Sequence, residues 1–105
     1  MTLQEAEAKA LPLLAKYGLP DWQISLENLH NKAMYGVCAG SLGYCDLKNK
    51  VIRIAWGHGR HFRQTLLHEI AHALRGVPGH DMEWIEIAEK IGCTFGHLLP
   101  YLRAI

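Results

Sequence analysis

Apolar and polar positions along the chain follow two periods in turn. Leu3, Ala6, Ala10, Leu13, Leu14 and Tyr17 recur at helical spacing, which predicts an amphipathic helix over Thr2 to Tyr17. Thr2 with Glu5 three residues on is a capping-box pattern, and Gly18 is placed to stop the helix. Pro12 removes a backbone donor inside this run and predicts a kink. Leu19-Pro20-Asp21 reads as a turn, after which the period changes to two. Trp22-Gln23-Ile24-Ser25-Leu26 alternates apolar and polar residues, as a half-buried strand does. Asn28 to Lys32 is a polar loop, Met34 to Gly40 a second strand, and Ser41-Leu42-Gly43 a bulge or turn. Tyr44 to Leu47 adds a short strand, and Lys48-Asn49-Lys50 is a tight turn. Val51 to Trp56 is the clearest strand: Ile52, Ile54 and Trp56 share one face, and Val51, Arg53 and Ala55 the other. Strands this close in sequence predict an antiparallel meander.

Gly57-His58-Gly59 breaks the strand, and a mostly apolar helix is expected from near Arg60 to about Arg75. Gly76-Val77-Pro78-Gly79 ends it. Asp81 is a good N-cap for a third helix with Trp84, Ile87, Ala88 and Ile91 as its apolar stripe and Gly92 at its close. The tail from Cys93 to Ile105 is apolar enough to dock, with Pro100 interrupting it. There is no internal repeat, low-complexity segment or linker. The reading is one α+β domain over residues 1–105, a small antiparallel sheet packed against the central helix.

Composition narrows the function classes. A chain of 105 residues that is 50% hydrophobic folds around one modest core. Its formal net charge of +1 makes no electrostatic case for nucleic acid or a membrane surface. With no apolar run of spanning length and no leader pattern, the expectation is a cytoplasmic protein whose Cys38, Cys45 and Cys93 are reduced and buried. Arg53, Arg60, Arg63 and Arg75 read as a solvated face, Arg75 also suiting a helix C-terminus.

The chemistry lies in the central helix. His68-Glu69-Ile70-Ala71-His72 is an H-E-x-x-H motif. Four residues apart on a helix, His68 and His72 project from one face and can share a metal. Glu69 then stands beside the metal, where water would lie, rather than on it. A catalytic zinc has three protein ligands and one open position. His80, in the glycine-rich turn after the helix, leads the candidates for the third, ahead of Glu83, Glu86 and Glu89 on the next helix. A metzincin spacing fails, because that position is Pro78. His58 and His61 read as loop histidines, and His30 and His97 have no assigned partners. Nothing in the sequence places Tyr44 or Tyr101.

HEIAHAL, then GHDMEW, then IAEKIGC resembles the SprT-like metallopeptidase domain. The likeness continues upstream in the first helix, the Trp22-led strand, Gly36-Val37-Cys38 and Ile52-Arg53-Ile54, and covers about residues 3 to 93. It implies a zincin-like fold, zinc held by His68, His72 and His80, Trp84 as the aromatic that follows the third ligand, and Glu69 as the general base of an endopeptidase. A protein or peptide is the implied substrate. Larger relatives such as Spartan cleave proteins crosslinked to DNA, so the resemblance also brings in DNA-associated proteins and DNA as a partner. The expectation is a single domain without the cysteine-rich zinc ribbon or accessory DNA-binding modules of many relatives, and Asp81-Met82 stands where Gly-Pro is common in the family. Two other readings stand beside the peptidase. One is a zinc-containing protein- or DNA-binding module without efficient turnover, and the other a metal-dependent hydrolase of a different bond.

Overall fold

The structure is a computed structural model, and it describes residues 2–27, 43–55, 62–77 and 79–93. Among these the element order is α1 (Leu3–Lys16), β1 (Gln23–Glu27), β2 (Gly43–Asp46), β3 (Val51–Ala55), α2 (Phe62–Arg75) and α3 (Met82–Lys90). The expected strand over Met34 to Gly40, Trp56, the first residues of the central helix, Cys38, four of the histidines (His30, His58, His61 and His97), Tyr101 and the tail beyond Cys93 lie outside the described residues.

α1 starts as its capping box requires. The Glu5 amide donates to Thr2 Oγ1 at 3.1 Å and the Thr2 amide returns a bond to Glu5 Oε1 at 3.2 Å. The helix runs on through Pro12 to Lys16 and buries Ala6, Ala10 and Leu14. β2 and β3 form a hairpin across residues 47–50. Asp46 organises that turn, accepting from the Asn49 amide at 3.1 Å and from Asn49 Nδ2 at 2.9 Å.

The sheet is mixed, in the order β1-β3-β2, and not the antiparallel meander expected. β1 pairs with β3 in parallel, Ile24 opposite Ile52 and Leu26 opposite Ile54, while β2 pairs with β3 antiparallel. β3 carries the most buried side chains of the sheet, Ile52 and Ile54, and the central place covers them on both sides. Parallel pairing needs a long connection rather than a tight turn, and residues 28–50 separate β1 from β3.

α2 is the hub. Leu66 and Ile70 face the core shared by α1 and the sheet, with Leu14, Trp22, Ile24, Ile52, Ile54 and Phe62. Leu67 and Ala71 face a second cluster with Trp84, Ile85 and Ala88 of α3 and Cys93. Two buried stripes on one helix leave a limited arc for polar side chains, and His68, Glu69 and His72 occupy it. Gly76, at φ 80, ends the helix in the left-handed conformation and sends the chain back toward α3. The Asp81 side chain caps α3, accepting from the Trp84 amide at 2.8 Å. The Tyr17 hydroxyl donates to the Ile91 carbonyl at 3.4 Å and ties the end of α1 to the end of α3. No helix among the described residues is long and apolar enough to cross a membrane.

Candidate metal centre

The three histidines singled out by spacing converge. His80 Nε2 lies 3.1 Å from His72 Nε2 and 3.1 Å from His68 Nε2, and the three ligand atoms all fall within 4.8 Å of one another. Ligands at about 2.0–2.1 Å around a tetrahedral zinc stand about 3.3 Å apart, so the two separations from His80 fit a shared ion. Glu83, Glu86 and Glu89 are exposed on α3, and Glu83 lies 3.5 Å from Arg75.

Protons alone satisfy such a cluster poorly. The Nδ1–H of His72 donates to the Val77 carbonyl at 3.3 Å, which leaves Nε2 of the neutral ring as a lone pair directed at His80. A proton on His80 Nε2 can point squarely at only one of its two neighbours. Adding protons to the group is costly as well. Burial, then the charges of His72 and His80, pulls His68 down to about 3, and burial followed by His80 pulls His72 down to about 4. Burial also holds His80 below the usual histidine range. Three neutral imidazoles with converging lone pairs are the donor set of a borderline-soft divalent ion. Among the described residues they are the cluster of histidine, cysteine or carboxylate side chains placed to hold one.

The chain matches no family model, no curated protein and no solved structure.

Trp84 is fully buried and forms the floor of the cluster. Its ring centroid lies 4.7 Å from that of His68, 5.1 Å from His72 in a stacked arrangement, and 4.5 Å from His80. A rigid indole touching all three rings restricts their rotation and keeps water from that side. Its Nε1–H has no hydrogen-bond partner among the described residues. The sequence marked Trp84 as apolar and as the aromatic after His80, but gave no signal that it would contact every candidate ligand.

The third histidine is held by its neighbours. Arg75, the last residue of α2, sends Nε and Nη2 to Asp81 Oδ2 at 3.0 and 2.8 Å, and Nε also reaches Oδ1 at 3.2 Å. Asp81 follows His80 directly and caps α3 at the same time. The arginine fork thus ties the end of one helix to the start of the next and fixes the turn that presents His80. Helix-dipole reasoning alone had accounted for Arg75 and missed this clasp.

Glu69 is buried, and desolvation raises its carboxyl to about 8. In the metal-free protein it is therefore largely protonated at neutral pH, and a nearby divalent charge drives it toward the carboxylate. Cys45, buried on β2, is pushed up to about 12 by burial and by the charges of Glu69 and Asp46, so it is an unreactive thiol. Arg53 departs from expectation. It is not on a solvated face but half-buried between Glu27 and Asp46, bonding Asp46 Oδ2 at 2.7 Å and pairing with Glu27 through its other terminal nitrogen.

Proposed function

We propose that the chain is a zinc-dependent endopeptidase with a zincin-like arrangement, in line with its resemblance to the SprT-like metallopeptidase domain. The observation that carries this reading is the convergence of His68, His72 and His80, with the buried Glu69 on the helix that carries the first two. His68, His72 and His80 would hold the ion, and their hard-to-protonate rings suit zinc. When bound, zinc supplies Lewis-acid polarisation of a peptide carbonyl and acidifies water.

The remaining work falls to the chain's own side chains. Glu69 accepts the proton of the attacking water and passes it to the departing amine nitrogen. Its burial favours this cycle, because a carboxyl that is easily reprotonated returns its proton readily. Trp84 and the Arg75–Asp81 clasp keep the imidazoles in place through the cycle. β2 lies beside α2, and an extended peptide running along the sheet would present its backbone to the site. The SprT-like resemblance extends the substrate class to DNA-associated proteins, with the chain acting as a cytoplasmic enzyme.

The decisive experiment compares zinc-loaded wild type with Glu69→Gln on an unfolded protein substrate, with and without single-stranded DNA. Cleavage by the wild type and its loss in a Glu69→Gln protein that still binds zinc support the peptidase. Stimulation by DNA would support DNA-associated substrates. Full zinc occupancy with no cleavage under either condition favours instead a zinc-containing binding module.

A further inference from the structure

β2 begins at Gly43, which the sequence pattern assigned to a bulge or turn. Gly18, Gly76 and Gly92 each take a positive φ, and a Cβ on any of them would meet nothing within 4 Å; their need for glycine is conformational. Gly43 is the reverse case: it lies in a strand, opposite Ile54, and the space beside it is taken. A Cβ there would lie 2.8 Å from Glu69 Oε2, 2.9 Å from Thr65 Cγ2 and 3.0 Å from Glu69 Cγ. Thr65 and Glu69 are one turn apart on α2 and both are buried, so making room for a Cβ means shifting a packed side chain.

We infer that Gly43 is a positioning residue for Glu69. The missing side chain on β2 makes the slot in which the glutamate lies, and so sets its direction relative to the three histidines. The inference rests on the proposed role of Glu69 as proton acceptor, but the contact itself does not. Gly43 sits in a strand, and replacing glycine within a strand is ordinarily neutral or favourable. A loss on Gly43→Ala therefore reports the contact. The substitution must displace the carboxylate or Thr65, and misplacement of a reacting group by about 1 Å costs roughly a hundredfold in rate.

The test uses the full chain as wild type, Gly43→Ala, Glu69→Gln and the double variant, each assayed for zinc content and for kcat and KM on unfolded casein. The expected result is unchanged zinc per chain, kcat lowered about a hundredfold in Gly43→Ala with KM within about twofold, and no further loss when Gly43→Ala is added to Glu69→Gln. Wild-type kcat in folded, zinc-loaded Gly43→Ala overturns the inference. Should Gly43→Ala fail to fold, Gly43→Ala/Thr65→Ser removes the crowding methyl and is read in the same way. A second arm needs no activity. In the metal-free protein, Gly43→Ala should lower Tm less in a Glu69→Ala background than in the wild type, because the crowding Oε2 and Cγ of Glu69 are gone. Additive Tm shifts would overturn the contact. A wild type that binds zinc without cleaving refutes the peptidase, and the Tm cycle alone then decides for or against the Gly43–Glu69 contact.

Discussion

The Arg53 cluster on the sheet and the histidine cluster between α2 and α3 are both polar and partly buried, yet they are balanced in opposite ways. Around Arg53 each charge meets its complement: the guanidinium lies between Glu27 and Asp46, and Asp46 also takes two bonds from Asn49. That group is built from side chains of the sheet itself and ties β1, β2 and β3 together. Among His68, His72 and His80 three bases point at one another, 3.1 Å apart in two of the pairs, over an aromatic floor. The contrast teaches how a structural network is told from a site. The first holds its cation between two carboxylates of the chain itself, and the second gathers three donors that could share an ion.

Four predictions break or sharpen that contrast. The largest effect is on metal affinity: His72→Ala should weaken zinc binding by at least about a hundredfold, while Arg53→Met should leave it unchanged, as read by chelator competition. Next comes stability. Arg53→Met leaves Glu27 and Asp46 unpaired and should cost about 2–3 kcal/mol in urea unfolding.

The third prediction is a pH profile of the metal-free protein. The folded-state values of His68 and His72 lie at about 3 and 4 against an ordinary 6.5, so below 6.5 the unfolded chain binds their protons first and stability falls with falling pH. Glu69 has a folded value of about 8 against 4.5, so above 4.5 the unfolded chain releases its proton first and stability falls with rising pH toward 8. Two histidines outweigh one glutamate in the acid window, which places the maximum near pH 6.5. Chemical denaturation across pH 4 to 9 should locate it, and Glu69→Gln should flatten the alkaline fall. The smallest effect is expected at the clasp: Arg75→Ala should loosen the His80 turn and weaken zinc binding about two- to fivefold, more at low salt than at high.

Much of the site was legible because its determinants are local. The i, i+4 spacing of His68 and His72, the Thr2 and Asp81 caps and the Gly76 stop are all written within a few residues of where they act. His80 was legible as the residue that a tight reversal returns to the helix. The parallel β1–β3 pairing was not, because the partner of Ile24 is Ile52, far along the chain, and no local pattern separates a crossover from a meander. Arg53 misled for a similar reason: on a strand its charge looked solvated until Glu27 and Asp46 arrived from the flanking strands. Trp84 under the rings and Gly43 against Glu69 depend on how elements pack, which periodicity does not encode.

The most direct measurement is the zinc content and zinc affinity of wild type and His80→Ala, purified without added chelator. The account predicts one zinc per wild-type chain, and in His80→Ala a fold that persists with zinc lost or weakened by at least about a hundredfold. A wild type that neither carries nor takes up zinc, or a His80→Ala protein that holds it as tightly, would contradict the three-histidine centre.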